Sequence, residues 1–314
     1  MRHCLRLIGL GFAAGIWLQL RLPVDFLFAL PPERNQQEHL LSNLKNRSVP
    51  WQKRIEAFDQ MMQMPTEESR KAVIETLENR RESAAFVGRF SEAIAKTKDR
   101  DLLRMLESRF TDRSTPIHAR QIAASILWKA DPESVMDRIR TIAADPFDNE
   151  AFRVYVMGYL AQRAQDGENQ KLVRSIFEDK DDSSKVREMA AAILEAVQDG
   201  AENRAMYQTI LRDSMFPVPA RKRALEKCVL LNATSWPETS LPILEDPNED
   251  FILKKAVLKN LLRQETASQP WVTRLRKAAA ALRSGLVDAE LESLLRQIEN
   301  ENPANRKSAH ANQT

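Results

Sequence analysis

Residues 177–194 read FEDKDDSSKVREMAAAIL, and their layout sets the fold. With Asp179 as origin, Phe177 lies two residues before it, Arg187 eight after and Leu194 fifteen after. The same columns recur along the chain. The marker column is Asn46, Asn79, Asp112, Asp145, Asp179, Asp213 and Asp246, with gaps of 33, 33, 33, 34, 34 and 33. The fifteenth position reads Met61, Ile94, Leu127, Leu160, Leu194, Cys228 and Leu261, and the position two before the marker reads Leu44, Leu77, Phe110, Ala143, Phe177, Leu211 and Leu244. Eight after the marker stands a base in six of seven units: Arg54, Arg120, Arg153, Arg187, Arg221 and Lys254, with Val87 in the second. Several columns sharing one period are the signature of a stacked repeat array.

Composition says what the units are made of. The 314 residues are 43% hydrophobic and 29% charged, with only eight Gly and three Tyr, which favours helix over sheet. In the unit from Asp145, Asn149 is placed to cap a helix whose apolar positions Phe152, Val156, Tyr159 and Leu160 follow helical spacing. Gly167 breaks it, and a second helix runs on through Leu172, Val173 and Ile176. Asp199-Gly200 interrupts the next unit in the same way. Asp131-Pro132-Glu133, Thr115-Pro116 and Ser235-Trp236-Pro237 mark helix starts, since proline costs nothing in a first turn. Neither helix can bury its apolar stripe alone, so stacked neighbours must supply the core. The array is expected to span residues 31–299, opening with a helix near 32–46 and closing with helices near 270–282 and 288–298; residues 300–314 read as a disordered tail.

Residues 1–30 have a separate character. Arg2 and Arg6 precede LIGLGFAAGIWLQL, an uncharged run from Leu7 to Leu20, which is the layout of an export signal. Arg21 and Asp25, four apart, allow a second reading, an uncleaved anchor or membrane tether extending to Leu30. A hydrophobic helix capping the array is the third. Both membrane-related readings place the repeats outside the cytoplasm, in the periplasm or secreted. Without residues 1–30 the body carries 44 basic against 43 acidic residues, which lacks the footprint of a nucleic-acid binder. Cys4 lies in the leader, and Cys228 in the apolar fifteenth column reads as a small buried hydrophobe.

Acid at a turn, a base a few residues later, then small and apolar residues: this pattern resembles the HEAT-repeat family over about residues 40–283. The closest match runs from Asp181 to Arg187, followed by Met189-Ala190-Ala191-Ala192-Ile193-Leu194. The resemblance implies an all-α, right-handed α-solenoid of about seven helical hairpins, in which acids and bases form a ladder between adjacent units. It makes Arg120, Arg153, Arg187 and Arg221 structural. The usual acid-to-base spacing is near six, as from Asp181 to Arg187, whereas the marker column gives eight, so most rungs are expected to use other partners. A period of 34 also suits tetratricopeptide repeats, but the Trp, Gly, Tyr and Pro positions of that family do not recur.

No catalytic set stands out. The four histidines, His3, His39, His118 and His310, have no metal-ligand spacing, and there is no phosphate loop, nucleophile elbow or C-x-x-C. The acidic run Glu178-Asp179-Lys180-Asp181-Asp182 reads as a solvated turn, and Arg221-Lys222-Arg223 with Lys227 as the solvated face of a helix. One pattern is a candidate for partner binding. On the second helices, four before the marker, stand Ser108, Thr141, Ser175 and Thr209; five before stand Glu107, Arg140, Arg174 and Gln208. By the resemblance these helices line the concave side, so the column is a docking ridge unless it only lets helices approach closely. The expectation is an exported or membrane-tethered scaffold or adaptor for a protein or peptide, with no cofactor or metal. The alternatives are a HEAT-fold lyase or glycosylase, and a structural component of an envelope assembly.

Overall fold

A computed structural model describes residues 32–198, 200–231 and 236–263, with two isolated helical positions at 293 and 296. The leader, the helices expected near 270–282 and 288–298, and the tail lie outside the described residues. Fourteen helices and no strand occur among those described: α1 Pro32–Lys45, α2 Trp51–Met61, α3 Glu67–Glu78, α4 Ala84–Ala95, α5 Arg100–Thr111, α6 Ile117–Ala130, α7 Pro132–Ala144, α8 Glu150–Gln162, α9 Gly167–Glu178, α10 Ser184–Glu195, α11 Gly200–Arg212, α12 Val218–Leu230, α13 Trp236–Glu245 and α14 Phe251–Arg263. The chain divides into two compact units, at residues 1–102 and 103–314, and the division falls inside α5.

The marker column is a turn with one geometry repeated seven times. In every case the marker's Oδ1 accepts the N–H two residues on, from Ser48 at 3.0 Å in the first turn to Asn248 at 2.9 Å in the last. Its backbone carbonyl accepts the N–H three residues on. Asn and Asp share the short side chain and the Oδ1 acceptor that this turn requires, which is why the column holds nothing else. Four residues after the marker comes the N-cap of the next helix. Ser83 and Asn149 accept the N–H of Phe86 and Phe152 there, while Pro50, Pro116 and Pro217 occupy the same place. Pro116 is thus a cap rather than a first-turn residue. Asp131 caps α7, with Pro132 at its first position, as the sequence indicates.

At five of its seven occurrences this turn lies inside a tight hairpin rather than between two. The closely packed antiparallel pairs are α1 with α2 in the first unit, and α7 with α8, α9 with α10, α11 with α12 and α13 with α14 in the second. A repeat cut at its marker in the sequence therefore starts half a repeat late. Within the second unit the hairpins stack to form two rows: α6 packs on α8 and α8 on α10, as does α12 on α14, while α7 packs on α9 and α11 on α13. This is the layering of an α-solenoid, in which each hairpin buries its stripe against the next. The core follows the columns. Leu44, Phe110, Ala143 and Leu211 from the position before the turn, and Ile94, Leu160 and Cys228 from the fifteenth, are fully buried. In the second unit Phe110 meets Phe152 edge-on at 5.9 Å, and in the first Phe58 meets Phe90 at 5.2 Å. Burying each such ring contributes about 1.5–3 kcal/mol.

The base column supplies a buried ladder. Arg54 Nε donates to the Leu44 carbonyl at 2.8 Å, and its two terminal nitrogens grip both oxygens of Glu82 at 2.8 and 2.7 Å. Arg120 repeats this with the Phe110 carbonyl (3.0 Å) and Asp148 (2.6 and 2.7 Å), and Arg153 with Ala143 (3.1 Å) and Asp182 (2.7 and 2.5 Å). Arg221 takes the Leu211 carbonyl (3.0 Å) and Glu249 (2.8 and 2.6 Å). The acid is thus the residue three after the following marker. Arg187 departs from this: Phe216 occupies that position, so the guanidinium lies 4.4 Å over its ring and forms an ion pair with the marker itself, Asp213, at 2.8 Å. Two sequence expectations change. Asp181 is exposed and is not Arg187's partner, and Asp182, in the run read as solvated, is buried beneath Arg153. Where Val87 replaces the base, Thr115 replaces the acid in the following turn, so both charges are missing together.

Candidate binding groove

The predicted ridge is placed as follows. Ser108, Thr141, Ser175 and Thr209 occupy equivalent exposed positions on α5, α7, α9 and α11. The hydroxyls of Thr141 and Thr209 donate to carbonyls one turn back, Asp137 at 2.8 Å and Ala205 at 3.1 Å, and Ser175 donates to Leu172 at 2.8 Å. Their neighbours are held between repeats. Glu107 pairs with Arg138, and Arg174 reaches Glu202 at 3.5 Å. Arg140 is the most constrained, contacting Asn169 at 2.8 Å, Asp166 at 3.2 Å and Glu168 at 2.8 Å at the start of α9. Gln208 is half-buried. The hydroxyl column faces solvent, while the charged column works as a second ladder.

A groove opens in the other row of helices. Successive helices of that row pack closely at α8–α10 and α12–α14, whereas α10 and α12 stand further apart. The gap between them, about 470 Å³, is lined by Val154 of α8, by Met189, Ala191 and Ala192 of α10, by Tyr207 and Ile210 of α11, and by Ala220 and Ala224 of α12. The small alanine side chains are the local cause, because they leave unfilled the space between two helix backbones that a leucine would occupy.

The edges of the groove are charged, and differently on each side. Glu188 and Glu195 stand on the α10 edge, Arg223 and Lys227 on the α12 edge. They pair across the opening, Arg223 with Glu188 at 3.2 Å and Lys227 with Glu195 at 2.7 Å. Lys185, at the start of α10, turns instead to Glu150 of α8 at 2.9 Å. Lys227 holds the Glu195 carboxyl below its ordinary range, and burial pushes the Tyr207 phenol up. Behind Tyr207 sits Cys228, fully buried, its thiol pushed up to about 11 by burial. The basic run of α12 is therefore divided: Arg221 is a ladder base, Lys222 faces solvent, and Arg223 and Lys227 bridge the groove. Composition gave no sign of this, because spacing along α12 cannot show which acids face it from α10.

A second concavity, about 460 Å³, lies between the turns at 112–116 and 145–149. Phe147 lines it and is 83% exposed, and Arg113 pairs with Asp145 beside it. Its floor is the rung Arg120–Asp148, whose charges are already consumed. Among the described residues no group of three or more His, Cys, Asp or Glu is arranged to hold a metal ion, and no helix is long and apolar enough to cross a membrane.

No family model matches this chain, and no curated protein does. Among solved structures, human deoxyhypusine hydroxylase in complex with glycerol aligns over 85% of this chain and 96% of its own, at 13% identity and a TM-score of 0.29.

Proposed function

We propose that this protein is a HEAT-like repeat scaffold that binds a protein or peptide partner without chemistry of its own, and that it works outside the cytoplasm, exported or tethered by residues 1–30. The observation that carries the binding reading is the α10–α12 groove: an apolar, alanine-lined opening with charged edges. Grooves of roughly 300–1,000 Å³ with apolar lining and a few convergent polar groups are the usual seats of ligands. The docking surface is placed on the row opposite Ser108, Thr141, Ser175 and Thr209, because it is there that an apolar concavity opens.

Site-specific photocrosslinking tests the proposal. A photoreactive side chain replacing Ala192, in the groove, is compared with one replacing Ser175, on the ridge, in full-length protein made in its own cell. An adduct with a discrete protein from position 192 and not from 175 is expected. Absence of an adduct from both positions refutes the scaffold reading. Fractionation with N-terminal sequencing tests the location; intact protein in the cytoplasm refutes export.

A further inference from the structure

The two edges of the α10–α12 groove carry opposite charge, and that specifies what fits it. Resting on the scaffold reading, we propose that the groove receives one amphipathic helix whose apolar face is flanked by basic residues on one side and acidic residues on the other. The floor is apolar, which suits the ridge of side chains on one face of a helix rather than an extended polar peptide. The α10 edge offers Glu188 and Glu195; the α12 edge offers Arg223 and Lys227. In the free protein these four satisfy one another across the opening at 3.2 and 2.7 Å, through side chains that remain partly exposed. A helix laid between them exchanges each bridge for two new pairs, its basic flank toward α10 and its acidic flank toward α12. Charge is conserved in the exchange, and exposed bridges of this kind are weak enough to open. A helix with both flanks acidic meets Glu188 and Glu195, and one with both flanks basic meets Arg223 and Lys227; each mismatch sets like charges together, which disfavours it.

Three synthetic helical peptides with one common Leu/Ala face test this, with flanks that are mixed, all-Lys or all-Glu. Binding to purified full-length protein is read by fluorescence anisotropy. The mixed peptide is expected to bind about tenfold more tightly than either uniform one. R223E with K227E makes both edges acidic and should transfer that preference to the all-Lys peptide; E188K with E195K should transfer it to the all-Glu peptide. Circular dichroism and protection of Cys228 from alkylation establish that each variant is folded, and either variant alone suffices for the reversal. Equal binding of the three peptides, no binding of any, or an unchanged preference in a folded variant overturns the proposal. If the Ala192-site adduct persists in those cases the scaffold reading stands and only the charge specification falls; if the adduct is also lost, both fall.

Discussion

Removing the guanidinium of Arg120 tests whether the buried ladder holds the second unit together. Arg120 is 1% exposed, and its partner Asp148 is 8%. Arg120→Met keeps an aliphatic stem over Phe152, where the guanidinium lies 3.9 Å from the ring centre, but removes every donor. The Asp148 carboxylate then loses its two bonds of 2.6 and 2.7 Å, and the Phe110 carbonyl loses one of 3.0 Å. Breaking a buried pair by removing one partner costs about 3–5 kcal/mol, and the stranded carbonyl about 1–3 kcal/mol if it stays dry. These costs overlap, so a loss of about 4–6 kcal/mol is expected in local stability. Asp148→Leu alone strands the guanidinium and should cost about 3–5 kcal/mol. The double variant removes both charges and should cost about 1–2 kcal/mol, mainly the lost bonds to the Phe110 carbonyl and the Asn149 N–H. Amide hydrogen exchange across α6–α8 is the assay, because repeat arrays open locally and one global transition would average the effect away. A single-variant cost below about 1 kcal/mol, or two singles that simply add in the double, refutes the reasoning.

Acid should loosen the same ladder. Burial alone would raise the Asp148 carboxyl, but Arg120 and the Asn149 N–H outweigh it and hold the group below its ordinary 3.8. Asp213 is likewise lowered, by the Met215 N–H and Arg187 against the effect of burial. A carboxyl whose folded pKa is depressed stabilises the fold above its unfolded pKa, so this contribution is lost as pH falls from about 5 through the lowered values; a circular-dichroism melt flat between pH 5 and 2 would contradict it. Asp179→Ala removes the acceptor of the Asp181 N–H and should cost about 0.5–1.5 kcal/mol by denaturant titration, with the hairpin retained. Cys228 should resist alkylation in the folded protein at pH 8 and react once it is denatured, since burial pushes its thiol up to about 11; fast labelling of native protein would exclude that packing. Phe147→Ser should change stability by less than about 0.5 kcal/mol, because the ring is 83% exposed, and a larger loss would show hidden packing.

The marker column and the apolar fifteenth column are local requirements, and the sequence alone carried them. An Asx turn needs Asn or Asp two residues before the N–H it accepts, and a buried helix face needs apolar residues at helical spacing, so both recur wherever the element recurs. The column of residues two before the marker was visible too, but its use was not. Its backbone carbonyl receives the arginine Nε, and a backbone acceptor leaves no trace in side-chain identity. The acids of the ladder escaped for a related reason. Glu82, Asp148, Asp182 and Glu249 stand 28 or 29 residues after their arginines, a separation meaningful only once one hairpin has stacked on the next. Stacking also decided which helices share a hairpin, because a period fixes the length of a repeat and not where the tight turn falls within it. The groove is the furthest from the sequence. Its alanines look like those of any well-packed helix, and its opposed edges exist only because α10 and α12 stand apart with Glu188 and Glu195 facing Arg223 and Lys227 across the gap. Local geometry wrote the array into the chain; the space between hairpins was set by packing at a distance.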